Sequence, residues 1–293
     1  MTVTYPRKFR DQLSAQDILN QVVLNREIHM VTLNRYRFSE QRSCKDLTDV
    51  VERLNGEPRQ LCKELSHHVS DEARHAYWLT DLLYELNEPI GTPPGTSYVD
   101  EFERLLDRSV HENPEDMLID ALAAINVTEK RGCEYFSAHI KALKALPSPE
   151  NDKIRETIEM IMPEEATHVR WGNAKLAEIA KKSPQHREKV ENAKRKYTAI
   201  EQAAFESGMD VLAGAELRRV NNLMKVVDTL PLWQRPQYLM EHLPQTLFSP
   251  ELQKTRIDLV QKAWERDPVQ FVEKFIPMFF SANLKAAQKA ESN

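Results

Sequence analysis

Two stretches of this sequence decide its fold, Asp71-Glu72-Ala73-Arg74-His75 and Glu164-Glu165-Ala166-Thr167-His168. Each carries Glu-x-x-His in the middle of an apolar stripe that repeats at the spacing of an α-helix. A carboxylate and an imidazole three residues apart lie one turn apart on the same side of a helix, so both can bind one cation. Because burying such groups without a partner is costly, the stripes predict two helices that face each other across a metal site.

Clusters of proline and glycine divide the chain around these motifs. They fall at 55–58, 88–95 and 146–149. The apolar periodicity beside and between them predicts four long helices, and their ranges are 15–54, 58–86, 114–145 and 150–181. Short links join antiparallel neighbours, whereas the long middle link allows the second hairpin to cross over the first. The sequence therefore predicts an all-α four-helix bundle with a long crossover.

The first and third predicted helices each place one carboxylate on the buried stripe. On the third helix this residue is Glu129, while Glu134 lies about 140° away around the helix axis. On the first helix it is Glu40, while Glu27 is again about 140° away. Each of these helices is therefore expected to supply a single carboxylate to the metal site.

Hairpin geometry supports the same choice. Glu40 and Glu72 are each 16 residues from position 56, which lies in the first turn. Glu129 and Glu165 are each 18 residues from position 147, which lies in the turn of the second hairpin. In an antiparallel hairpin, residues equally distant from the turn lie at one height. The predicted ligands are Glu40, Glu72, His75, Glu129, Glu165 and His168.

The chemistry of these six side chains indicates the metal. Four carboxylates balance the charge of two divalent cations, and each histidine can serve one of them. Hard oxygen ligands combined with imidazole favour iron or manganese over metals that prefer thiolates. We therefore expect two iron ions per chain, with a manganese–iron pair or two manganese ions as alternatives.

Other histidines have weaker positions. His68 lies one turn before Glu72 on the same stripe, where it is either an extra ligand or a hydrogen-bonded core histidine. His29 is expected in the core or in a pocket. His67 and His139 fall off the stripes and are expected at the surface.

Residues next to the ligands are candidates for a substrate pocket. Tyr36 and Cys133 lie one turn from Glu40 and Glu129, and Phe136 follows on the stripe of the third helix. Packing in the core is the alternative role for these three side chains. The apolar segment 275–280, in the predicted helical extension, is a candidate cover for such a pocket.

Composition limits the remaining classes. A net charge of −5 gives no indication of nucleic-acid binding. No apolar run reaches the roughly 18 residues of a transmembrane helix, and residues 1–10 have no signal-peptide core. The three cysteines form no metal-binding or disulfide pattern. We expect a cytoplasmic protein with a bundle over 15–181 and a helical extension over 182–293 packed on it, and a homodimer is left open.

The paired motifs resemble the diiron-carboxylate proteins of the ferritin-like superfamily over about 15–181. The string Asp71-Glu72-Ala73-Arg74-His75 is similar to the Asp-Glu-x-Arg-His of the ribonucleotide reductase small subunit and of diiron N-oxygenases. The resemblance implies a ferritin-like bundle in which the six residues above bind the metals. It also implies that Asp71 and Glu164 hydrogen-bond the ligand histidines from outside and fix the orientation of their rings.

The sequence departs from both relatives at single positions. Leu79 stands where the reductase has its radical tyrosine, four residues after His75. Ile161 stands where the N-oxygenases have a further histidine, four residues before the final glutamate. No cysteine pairs of the rubredoxin type are present, so the chain does not match a complete rubrerythrin.

The resemblance implies an oxidoreductase that uses dioxygen. We expect a non-heme diiron oxidase or oxygenase that oxidises a small organic substrate and receives electrons from an external donor. Two alternatives remain open. One is an iron-binding ferroxidase or storage protein, and the other is a metal-stabilised bundle that binds a ligand without catalysis.

Overall fold

The computed structural model describes residues 13–95, 97–106, 113–204 and 208–275, and within these ranges all regular secondary structure is helical. The prediction of an all-α fold is therefore confirmed for this part of the chain. The helices are α1 Ala15–Val22, α2 Arg26–Leu54, α3 Arg59–Glu85, α4 Tyr98–Leu105, α5 Pro114–Ala145, α6 Pro149–Ala180, α7 Pro184–Ala204, α8 Gly208–Thr229, α9 Arg235–Leu247 and α10 Pro250–Arg266. A short turn, Pro268–Gln270, and a π-helical turn, Phe271–Phe275, follow.

The first hairpin consists of α2 and α3, which pack along their length. The predicted single helix over 15–54 is wrong, because the chain breaks between α1 and α2. The side chain of Asn25 accepts a hydrogen bond from the backbone N–H of Ile28 and thereby caps a new helix. At the other end of α2, Asn55 adopts a left-handed conformation with φ of 50°, which ends the helix and begins the turn.

The second hairpin consists of α5 and α6. Both helices start with proline in the first turn, preceded by an Asn113 or Ser148 side chain that accepts a backbone N–H. The two helices approach closely at Gly172, where an added Cβ would lie 2.8 Å from Nδ2 of Asn126. A larger residue at Gly172 would therefore push the hairpin apart.

The two hairpins pack on each other through α3 with α6 and, less extensively, through α2 with α5. The crossover between them is held against α2, since Arg37 donates to the carbonyl of Gly91 and Arg35 donates to that of Pro94. The crossover also contains α4, which the sequence analysis missed. A capping box starts α4, in which Ser97 and Asp100 bond each other's backbone N–H groups.

The later helices surround the hairpins. α7 packs against α5 and α6, α8 packs against α2, and α10 packs against α1 and α8. α9 contacts α8 and buries none of its residues. Residues 276–280 of the predicted pocket cover lie outside the described residues. In the described part of the chain, every helix is too short or too polar to traverse a lipid bilayer.

Candidate metal centre

The six predicted ligands and His68 converge in the space between α2, α3, α5 and α6. One buried group brings ligand atoms of Glu40, Glu72, His75 and Glu165 within 4.8 Å of one another. The second group is His68, Glu72, Glu129 and His168, within the same limit. Glu72 belongs to both groups. The described residues thus contain two adjoining buried clusters that could hold metal ions.

The histidine rings point their Nδ1 atoms into the centre. Nδ1 of His75 lies 2.9 Å from Oε1 of Glu165 and 3.6 Å from Oε2 of Glu40. Nδ1 of His168 lies 3.3 Å from Oε1 of Glu72. Ligand atoms about 2.1 Å from a shared cation and at right angles to each other are roughly 3 Å apart, so these separations suit coordination.

Carboxylates outside the centre hold both rings. Nε2 of His75 donates to Oε2 of Glu164 over 2.8 Å, and Nε2 of His168 donates to Oδ2 of Asp71 over 3.1 Å. The bonds are reciprocal, because each ring of one hairpin is held by the residue that precedes a glutamate of the other hairpin. The hydrogen bonds that the family resemblance implied are therefore present. They leave Nδ1 of each ring directed at the interior carboxylates.

Several inward-facing atoms approach each other closely without forming hydrogen bonds of good geometry. They are Oε1 of Glu72, Oε1 of Glu165, Nδ1 of His75 and Nδ1 of His168. Such atoms are normally satisfied in a protein interior, and leaving them unsatisfied is costly. Cations bound between the carboxylates and imidazoles would satisfy them, so the residues present fit a pair of metal ions.

The pKa shifts of the buried carboxylates and of His168 also indicate a site for cations. Burial raises the pKa of Glu40 well above its ordinary value, and the neighbouring charge of Glu72 raises it further. Burial and the charge of Glu129 likewise raise the pKa of Glu165. Burial opposes protonation of His168, but hydrogen bonds with Glu129 and Glu72 raise the pKa of its ring to about 10. These shifts arise because the cluster needs positive charge, which protons or cations can supply.

His68 lies in the second buried group of this centre. Its side chain is 4% exposed, and its ring lies against that of His168 with centroids 3.6 Å apart. This position is compatible with both alternatives from the sequence, a further ligand and a hydrogen-bonded buried histidine. The sequence indicates this place, because His68 lies four residues before Glu72 on the same apolar stripe.

The residues excluded from the ligand set lie elsewhere. Glu134 is exposed, and Glu27 lies 3.5 Å from Arg219 of α8. The side chain of His67 is 78% exposed, as predicted. His139, in contrast, was wrongly predicted at the surface, since it is fully buried and hydrogen-bonded to His29 at 2.9 Å. The error arose because α1 covers a second face of α5, which apolar periodicity on one stripe does not show.

A cavity of about 880 Å³ reaches the metal centre from one side. Glu40, Glu72, Glu129 and Glu165 form its inner end. Its walls come from α2 and α5, and α4 contributes Val99 and Phe102 as a roof. The residues of these walls were not predicted from the sequence, although small side chains such as Ala121 and Ala124 recur on that face of α5.

Two of the three predicted pocket residues line a second, smaller cavity. This space of about 60 Å³ is bounded by Tyr36, Phe136 and Glu40, and the two rings meet edge to face with centroids 5.0 Å apart. Cys133 lines neither this cavity nor the larger one. Burial raises the pKa of its thiol, and the charge of Glu129 adds to the shift.

In comparisons with known proteins, no family model, curated protein or solved structure matches this chain. The geometry and chemistry of the centre are therefore the observations that bear on function.

Proposed function

We propose that this chain is a ferritin-like diiron-carboxylate protein and acts as an oxidase or oxygenase on an organic substrate. The observation that carries the proposal is the position of the 880 Å³ cavity, which ends on all four buried glutamates. Ligand pockets in proteins commonly have this size. A site that only stabilised the bundle would need no such access to its ligands.

The ligands for the two cations would come from all four long helices. One position would be held by Glu40, His75 and Glu165, and the other by Glu129, His168 and His68. Glu72 adjoins both groups and is the candidate for a shared ligand. Two bound iron ions would supply the redox chemistry that reduces dioxygen and oxidises the substrate.

The protein's own residues prepare the centre for this chemistry. Asp71 and Glu164 hold the histidine rings so that Nδ1 faces inward. Burial of the glutamates, which are 8% exposed or less, limits the contact of the ligands with water, and the cavity is the route to them. The cavity would then orient the substrate so that its reacting atom lies beside the carboxylate end.

Iron loading followed by exposure to dioxygen tests the proposal. The protein should take up two ferrous ions per chain without air, consume dioxygen once exposed, and do so again after re-reduction with the same iron still bound. The Glu129→Ala variant, which lacks one of the proposed ligands, is the comparison for wild type. Continued accumulation of iron as a mineral would support a storage protein instead, and absence of dioxygen uptake by the loaded protein would support a non-catalytic bundle.

A further inference from the structure

The larger cavity has a definite shape, which follows from its lining. On α2 it runs from Glu40 to Arg53, thirteen residues or about 20 Å along the axis. On α5 it runs from Glu129 to Pro114, fifteen residues or about 22 Å. The cavity is therefore a channel parallel to the helices. Its volume spread over that length corresponds to a mean cross-section of roughly 45 Å².

Side chains along the channel explain the gap between the helices. Where α2 and α5 face each other, Ser39 and Ser43 oppose Ala121, Ala124 and Thr128. Small residues at this spacing would normally allow close helix contact, yet α2 and α5 contact each other much less than the helices within each hairpin. Because the side chains on both helices are small, the space between them stays unfilled, and Val99 and Phe102 of α4 cover it.

Beyond the metal end, the middle of the channel is mainly apolar. Its apolar lining residues there are Leu47, Val50, Val99, Phe102, Ala121 and Ile125. Charged groups in this part are paired across the opening, since Arg42 of α2 forms an ion pair with Glu103 of α4. Lys45 and Asp49 pair at 3.0 Å on the outer side. Apolar side chains therefore form much of the wall in the middle of the channel, and paired charges lie at its opening.

The inner end of the channel is formed by buried carboxylates of the metal centre. Glu72 and Glu165 both line the channel, and their side chains are 2% and 3% exposed. The channel therefore leads from the outer ends of α2 and α5 to the groups that would hold the two cations.

We propose that the channel between α2 and α5 binds an elongated, mainly apolar molecule, with one end against the glutamates and the other near Arg53. This inference rests on the proposed function, and it specifies the substrate class of the same site. Ala124 lies five residues from Glu129, so a bulky side chain at Ala124 would close the channel about 7.5 Å from the metal end.

A series of n-alkanols from butanol to dodecanol tests the channel in the full-length protein. Affinity is measured by displacement of anilinonaphthalene sulfonate. It should rise about fourfold per methylene until the chain fills the channel. The Ala124→Trp variant should weaken dodecanol binding at least about tenfold while leaving butanol binding unchanged. The Ala145→Trp variant, changed at an exposed position on the same helix, should behave as wild type.

Several outcomes decide the matter. Affinity that does not depend on chain length, or dodecanol binding unaffected by Ala124→Trp, would overturn the proposal. Should Ala124→Trp fail to fold, Ser43→Leu on α2, about 4.5 Å along the axis from Glu40, narrows the channel nearer the metal end and serves in its place. Metal content is measured on each sample, so loss of alkanol binding with two metals bound counts against the substrate class alone. A protein that binds alkanols but takes up no metal pair after loading would count against the proposed function alone.

Discussion

Nε2 of His68 lies 3.2 Å from Oε1 of Glu129, so a histidine of the first hairpin is hydrogen-bonded to a carboxylate of the second. The same nitrogen lies 3.2 Å from Oε1 of Glu72. The equivalent position on α6, four residues before Glu165, is Ile161. The two Glu-x-x-His motifs therefore have the same spacing, but one group of the centre contains two histidines and the other contains one.

This asymmetry predicts that the two cations bind with different affinities. Replacing His68→Gln should weaken one of the two binding steps by about 10–100-fold and leave the other nearly unchanged. Isothermal titration calorimetry with manganese or ferrous ion measures the two binding steps. His242→Gln is the control, because that residue lies on α9, which buries none of its residues. Equal effects of the two substitutions would exclude a role for His68 at the centre.

Two glutamates of one helix provide the sharpest test of the ligand set. Glu129→Ala should lose one metal per chain, because it removes a carboxylate that lies within 4.8 Å of His68, Glu72 and His168. Glu134→Ala, at an exposed position five residues further on, should keep both metals and change the free energy of unfolding by no more than about 0.5 kcal/mol. Elemental analysis and chemical unfolding check the pair, and the reverse pattern would mean that the ligand face of α5 is wrongly assigned.

The pKa of Glu165 predicts a trade-off between metal binding and stability. Burial, followed by the charge of Glu129, raises the pKa of Glu165, so the folded metal-free protein keeps this proton to a higher pH than the unfolded chain does. Its stability should then fall as pH rises above about 4.5. At pH 8 with a chelator, Glu165→Gln should be more stable than wild type by on the order of 1 kcal/mol, yet bind less metal.

Urea unfolding of the two proteins at pH 6 and pH 8 measures this difference. Glu134→Gln is the control, since it removes an exposed carboxylate from the neighbouring helix. A Glu165→Gln protein that is less stable than wild type at both pH values would contradict the prediction.

The buried pair of His29 and His139 predicts a second pH effect, of opposite sign. Burial lowers the pKa of His29 to about 4, and burial together with His29 lowers that of His139. The unfolded chain gains protons below about pH 6.5, whereas the folded protein resists them. Stability should therefore fall as pH drops from 6.5 towards 4, by about 3 kcal/mol for His29 alone.

Substitution His139→Gln should flatten this loss of stability, because it removes one of the two buried titrating rings. His242→Gln on α9 should not, since that side chain lies on a helix with no buried residues. Thermal or urea unfolding between pH 7 and pH 4.5 measures both. An acid profile of His139→Gln identical to that of wild type would show that the pair does not titrate on unfolding.

Much of the centre could be predicted from the sequence because the relevant information is local. Glu-x-x-His spacing places two ligands on one side of a helix, and apolar periodicity shows which side is buried. Equal distances from a turn set the height of Glu40 against Glu72 and of Glu129 against Glu165. In the structure, Glu40 and Glu72 of the first hairpin fall in one group, as these two rules predict.

What only the tertiary structure decided depends on packing between elements distant in the chain. Whether His139 is buried is decided by α1 lying on α5, and no periodicity within α5 shows that. The break at Asn25 depends on one side-chain cap, and the spacing of apolar residues does not reveal it. The channel exists because small side chains of α2 and α5 leave the space between these helices unfilled and α4 covers it. Sequence patterns therefore determined which residues face inward, and the long-range packing of the helices determined which of them leave an open space beside the glutamates.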